Sequence, residues 1–160
     1  MGQRFIPARH WSRQEVGQFA TRQEGQQRAV KVWVCQSCRG WNEQAGKAKP
    51  ACCLFCTYAS FFRCDSKVEA QRFLWLWSEQ DKGKISGLVH HPRYDLYGFD
   101  MQGRPQRVRT YEADFEYHDR YGVVVTEDVK PSDPRAQTPE FKIKRDWFEL
   151  QYGRRLMIVN

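Results

Sequence analysis

Cys35-Gln-Ser-Cys38 and Cys53-Leu-Phe-Cys56 are two C-x-x-C pairs separated by 14 residues. Each pair can close a tight turn that offers two thiolates, and two such turns supply the four ligands of a tetrahedral Zn²⁺. The intervening RGWNEQAGKAKPAC is mostly polar and contains glycine, as a loop between two knuckles should. Cys52-x-x-x-Cys56 is a competing spacing, but Cys53 repeats the x-x spacing of the first pair. A structural zinc on Cys35, Cys38, Cys53 and Cys56 is therefore expected, with Cys52 and Cys64 left as reduced thiols. Redox exchange at one pair is the rival chemistry, and it leaves the second pair unexplained. Four thiolates close the coordination sphere, so this metal is expected to hold the fold rather than to react.

A second group of residues is acidic and lies further along the chain. In Val123–Lys130 (VVVTEDVK) strand alternation puts Asp128 and Lys130 on one face, with Glu127 on the other. Asp114 lies in the preceding alternating segment, Gln106–His118, on the face opposite Tyr111, Phe115 and Tyr117. Asp119–Gly122 is a turn, so the two segments are expected to pair as an antiparallel hairpin that brings Asp114 near Thr126–Asp128. Two carboxylates together repel, and a hard divalent cation relieves that repulsion through oxygen ligands. Such an ion polarises a phosphodiester and acidifies water, while a neighbouring lysine orients the water or offsets developing charge. Glu69 could complete the group from the first turn of a helix. His90-His91 is assigned no catalytic role, because adjacent residues of a strand face opposite ways.

The elements that must position these residues follow from periodicity and caps. Ser12-x-x-Glu15 with Val16, Phe19 and Ala20 marks a short N-terminal helix. Ser66-x-x-Glu69 opens a second helix, through Val68, Phe73, Leu74, Leu76 and Trp77 to about Gly83. Ile85–Val89 and Arg93–Tyr97 supply one interrupted or paired strand region around Pro92. Thr138 caps a last helix with Pro139 in its first turn and Gly153 at its end, and Leu156–Val159 closes as a strand. The expected fold is α/β, a mixed central sheet flanked by helices, with a small zinc ribbon attached. The expected domains are an N-terminal helical arm over 1–30, the ribbon over 31–60 and an α/β core over 61–160.

Charge is distributed unevenly along the 160 residues. Residues 1–64 carry 10 Lys and Arg against 3 acids, which accounts for the whole net charge of +7; residues 65–160 carry 16 of each. A polyanion is the natural partner for the basic part. Lys142, Lys144 and Arg145 on the last helix are further candidates for phosphate contact, although Glu140, Asp146 and Glu149 interleave with them. Trp33, Trp41 and Tyr58 could stack on bases, but filling the small metal-bound core is the simpler role. The longest apolar run, Ala51–Cys56, is too short to span a bilayer, and no secretory h-region opens the chain. A soluble cytoplasmic protein is expected.

Glu69 on a helix, Asp114 on a strand and Asp128-Val129-Lys130 on the next strand resemble the PD-(D/E)XK nuclease superfamily. SKVEAQRF, YEADFEY, VVVTEDVK and FKIKRDWFELQYG are similar to a phage-encoded family within it, some of whose relatives are Holliday-junction resolvases. The resemblance covers about residues 62–159 and leaves out the zinc module. Ala113 stands where the superfamily name has proline. The resemblance implies a restriction-endonuclease-like core in which Glu69, Asp114 and Asp128 are metal-site acids and Lys130 is the catalytic lysine. It further implies Mg²⁺ or Mn²⁺ as catalytic ion, branched DNA as substrate, a homodimer to cut a junction symmetrically, and the host cytoplasm as location. Two other functions remain open: an endonuclease for a nick, mismatch or transposon end, and a non-catalytic zinc-ribbon DNA-binding protein.

Overall fold

The computed structural model describes residues 31–44, 48–130 and 137–160. The N-terminal helix expected around Ser12–Ala20 lies outside them. Among the described residues the protein is mixed α/β, with three sheets and two helices. The chain divides into two compact units, Met1–Trp75 and Leu76–Asn160, and the division falls within helix α1.

In the first unit three antiparallel strands, β1 (Lys31–Cys35), β2 (Trp41–Gln44) and β3 (Phe61–Cys64), form a sheet in the order β2-β1-β3. The ribbon's sheet thus takes in β3, beyond the expected end at residue 60. Strand alternation serves two purposes on β1. Trp33 and Cys35 pack with Cys53 and Phe61 on the side of the cysteines, while Val32 and Val34 are buried on the opposite face. Helix α1 (Lys67–Asp81) starts at the expected box. Ser66 Oγ accepts the Glu69 N–H at 3.0 Å, and the Glu69 carboxylate reaches back to accept the Asp65 N–H at 2.7 Å. Gly83, at a φ of 69°, closes the far end in the left-handed conformation that glycine adopts freely.

The second unit is built on a four-stranded sheet of β4 (Ser86–His90), β7 (Phe115–His118), β8 (Val124–Val129) and β9 (Leu156–Val159), in that order. β4, β7 and β8 are antiparallel neighbours, and β9 runs parallel to β8 after the crossover helix α2 (Pro139–Tyr152), so the sheet is mixed. Thr138 Oγ accepts the Phe141 N–H at 3.2 Å, and Gly153 takes a left-handed φ of 64° with its N–H on the Glu149 carbonyl. Both ends of α2 are therefore where their capping residues place them.

One expectation needs correction. Residues 106–118 do not form one strand: β6 (Pro105–Glu112) pairs with β5 (Arg93–Phe99) in a separate two-stranded ribbon, and the chain enters the main sheet only at Phe115. The segments on either side of Pro92 are one interrupted strand region, as expected, and not a pair: β4 lies in the main sheet and β5 continues it in the ribbon. The underlying device is one long hairpin with a bend. His90 pairs with Phe115 before the bend and Arg93 with Glu112 after it, so register is conserved and His91-Pro92 lies against Ala113-Asp114. The His91 N–H donates to the Asp114 carbonyl at 3.0 Å and the Ala113 N–H to the Pro92 carbonyl at 3.1 Å, which keeps the bend hydrogen-bonded. Tyr94, Leu96, Tyr111 and Ala113 from the far arm pack with Phe148 of α2 and Leu156 of β9. Helix side chains also serve the β5 edge: Gln151 accepts the Tyr97 N–H, and Gln151 and Tyr152 donate to the Asp95 carbonyl.

Candidate functional site

The four cysteines of the two C-x-x-C pairs converge. Cys35 Sγ lies 3.5 Å from Cys56 Sγ and Cys38 Sγ 3.6 Å from Cys53 Sγ, so each contact joins one pair to the other. A tetrahedron of thiolates at zinc distance has edges of about 3.8 Å. The cluster is therefore fit to hold a metal such as zinc. Each turn is made the same way: the residue after the second cysteine, Arg39 or Thr57, adopts a positive φ (61° and 62°) and donates its N–H to the carbonyl of the first cysteine. The Gly40 N–H then points at Cys38 Sγ from 3.4 Å. Asn42, buried on β2, turns its amide toward Cys53 Sγ at 3.6 Å and accepts the Leu54 N–H, which sequence reading missed. Burial pushes the Cys53 thiol up, but N–H donors from Phe55 and Cys56 and the Asn42 amide outweigh it and bring it down to about 6. Burial and the neighbouring sulfurs push Cys38 up to about 12. Four crowded thiols of this kind cannot all ionise without a cation among them. Cys52 is exposed and Cys64 fully buried, and neither joins the cluster. Trp33 is a core residue, whereas Tyr58 is half exposed.

The acidic group is positioned by the β7–β8 hairpin. Phe115 pairs with Glu127 and Glu116 with Thr126, and Asp114, the residue just before β7, meets the same end of β8 that carries Asp128. The Asp114 N–H donates to the Glu127 carbonyl, and Asp114 Oδ2 accepts the Val129 N–H at 2.5 Å. Asp128 is buried; its Oδ1 receives the Lys130 ammonium and its Oδ2 accepts the Tyr111 hydroxyl at 2.6 Å. Burial first, and then the charges of Asp128 and Asp114, push the Tyr111 hydroxyl far above its ordinary range, so it stays a donor. Tyr111 was expected on the face away from the acids. It reaches Asp128, while Tyr117 donates to the neighbouring Glu127 at 2.6 Å on the other side of β8. Both tyrosines occupy odd positions, and only the bend at Ala113-Asp114 lets them serve opposite faces of β8.

A cavity of about 290 Å³ opens beside Asp128, lined by Tyr111, Asp128, Lys130, Thr138, Phe141 and Lys144 among others. The Lys130 ammonium sits 4.6 Å from the centre of the Phe141 ring, a second hold on its position. Of the basic residues on α2, Lys144 faces this cavity and pairs with Glu140 at 3.0 Å, Arg145 pairs with Asp146 at 2.8 Å, and Lys142 is exposed. Glu69 is buried in the first unit, with the hydrogen bond to Asp65 already described.

His91 departs from the expectation that it and His90 diverge. Its φ of 54° breaks the strand alternation, and the two imidazoles stack with centres 3.8 Å apart. The turned ring brings a nitrogen within 4.8 Å of an Asp114 carboxylate oxygen. Its Nδ1 lies 3.8 Å from Glu112, whose other oxygen takes Arg93 at 2.7 Å. Histidine is among the non-glycine residues most tolerant of positive φ, but nothing local marked this one out for it.

No helix among the described residues is long and apolar enough to cross a membrane. No curated protein and no solved structure matches the chain. Residues 58–159, which include the acidic group but none of the four clustered cysteines, match the protein family of unknown function DUF1064, and the chain belongs to that family.

Proposed function

We propose that the protein is a metal-dependent DNA endonuclease of the PD-(D/E)XK type, with branched DNA such as a Holliday junction as substrate. The observation that carries this reading is the attachment of Asp114 to the end of β8, through the Glu127 carbonyl and the Val129 N–H on either side of Asp128, with Lys130 held on Asp128. The element order supports it: a helix, an antiparallel group of strands, a crossover helix and a parallel strand, with Asp128 on β8 and Asp114 immediately before β7. Oxygen donors of this kind suit a hard divalent ion, Mg²⁺ or Mn²⁺, with Asp114 as the principal protein ligand. Such an ion supplies a polarised phosphodiester and a more acidic water. Asp128 keeps the Lys130 ammonium in place against Phe141, and Lys130 offsets negative charge on the attacked phosphate. Tyr111 holds Asp128 from behind. Glu69 takes the role that the sequence resemblance gives it, to be tested separately by Glu69→Gln. The zinc of the cysteine cluster is structural in this reading, and symmetric cutting of a junction calls for a homodimer.

A second reading, a zinc-ribbon DNA-binding protein that never cuts, is favoured by one feature. Leu54, Phe55 and Tyr58 around the second knuckle are 44–70% exposed, in the part of the chain that holds the whole net positive charge. One experiment separates the two: a labelled four-way junction and a matched linear duplex are incubated with Mg²⁺, Mn²⁺ or EDTA and either wild type or Asp128→Asn. Paired metal-dependent cuts in the junction alone, lost in the variant, are expected. Cutting of both substrates keeps the nuclease and removes the junction preference. Binding with a steep salt dependence but no cutting sinks the nuclease and supports the second reading.

A further inference from the structure

We infer that His91 and Asp114 form a nitrogen–oxygen ligand pair for one divalent ion, which makes the site selective for Mn²⁺ over Mg²⁺; the inference rests on the nuclease reading for the ion's use but not for its binding. The two residues are direct partners at the bend of the long hairpin, joined by the His91 N–H to the Asp114 carbonyl. Their ligand atoms lie within 4.8 Å of one another. Two ligands of a six-coordinate ion are separated by about 3 Å when adjacent and about 4 Å when opposite, so a small closure of the ring suffices.

Three features fit the pair to a cation. The His91 backbone is held in its left-handed turn by the bend, and the ring is held by the stack on His90, so the imidazole is positioned in advance. Glu112 faces Nδ1, and a carboxylate behind a histidine is the usual means of orienting a ligating ring. Asp114 Oδ2 is fixed by the Val129 N–H, which sets the plane of the carboxylate. On the other side, both oxygens of Asp128 already receive donors, Lys130 and Tyr111, which points the ion toward His91 rather than into the Asp128 side. Mg²⁺ prefers oxygen and gives up water reluctantly, whereas imidazole suits the first-row transition ions. A mixed pair therefore discriminates where two carboxylates would not.

Mn²⁺ itself is the probe, titrated into the full-length zinc-loaded chain and followed by electron paramagnetic resonance. Pulsed measurements then read nitrogen coupling to the bound ion. Wild type is expected to bind Mn²⁺ with an imidazole nitrogen signature. His91→Gly, which tolerates the positive φ, is expected to lose that signature and to weaken Mn²⁺ by about 10–100-fold. His91→Asn provides a second variant compatible with the turn, and His90→Gln should keep the signature. Bound Mn²⁺ without nitrogen coupling, or an unchanged affinity in His91→Gly, overturns the inference, and DNA cutting by the same samples would then leave the nuclease intact. A His91-dependent Mn²⁺ site in a protein that cuts no DNA structure upholds the inference and removes the nuclease instead.

Discussion

The cysteine cluster and the acidic pair solve the same problem, holding ionisable side chains together inside a fold, by opposite means. In the first unit the ligands come from two short turns, each closed by its own backbone within five residues. The thiols are then left crowded, with one pushed down and another up, so the site is fit to take a cation from outside. In the second unit each acid is answered by a group from elsewhere in the chain: Asp128 by Tyr111 and Lys130, Glu127 by Tyr117, Glu116 by Tyr94 and Arg154. There the protein supplies its own counter-donors, and the geometry depends on sheet register rather than on turns. The local site leaves room for a metal among its thiols, whereas the site built by register has donors from the protein itself.

The largest expected effect breaks the first half of that contrast. Cys35→Ser removes one of four ligands, and structural zinc in such modules contributes on the order of 10 kcal/mol to folding. Zinc content should fall to near zero and near-ultraviolet dichroism from Trp33 should collapse, while amide protection in β7 and β8 persists. A variant that keeps its zinc and its Trp33 signal would show that the cluster is not a metal centre.

A smaller effect sharpens the second half. Tyr111→Phe leaves Asp128 Oδ2 without its buried donor, which should cost about 1–3 kcal/mol in chemical denaturation. If the tyrosine is one of the counter-donors that make the acids stable without metal, added divalent ion should recover part of the loss. The smallest effect is at the cap of α2, where Thr138→Ala should cost about 1 kcal/mol and leave zinc content unchanged. A loss near zero would mean that Pro139 and the packing of Phe148 hold that end alone.

The same contrast explains what could be read in the sequence. The cysteine spacing, the caps at Ser66, Thr138 and Gly153, and the strand at Leu156–Val159 are local signals, and the structure places them as expected. The placing of Asp114 near Thr126–Asp128 was also accessible, because a four-residue turn fixes hairpin register. Tyr111 and His91 were not. Alternation was carried straight through residues 112–115 and 90–93, where the chain bends out of the main sheet. A hairpin that bends at matched positions on both strands gives no break in polar–apolar alternation, and Pro92 was the one residue in it with a mechanical signature. Asn42 was missed for a different reason: a single amide carries no periodicity.

The hydrogen bond from the Val129 amide to the Asp114 carboxylate has a spectroscopic consequence. A short N–H donation to an ionised carboxylate is charge-assisted, so this proton should resonate well downfield of the other β8 amides and exchange slowly with solvent. Protonation of the carboxylate, or its capture by a metal ion, withdraws electron density from the acceptor and moves the resonance upfield. One backbone signal, in a residue that itself does no chemistry, would report the charge on Asp114 without substrate or turnover.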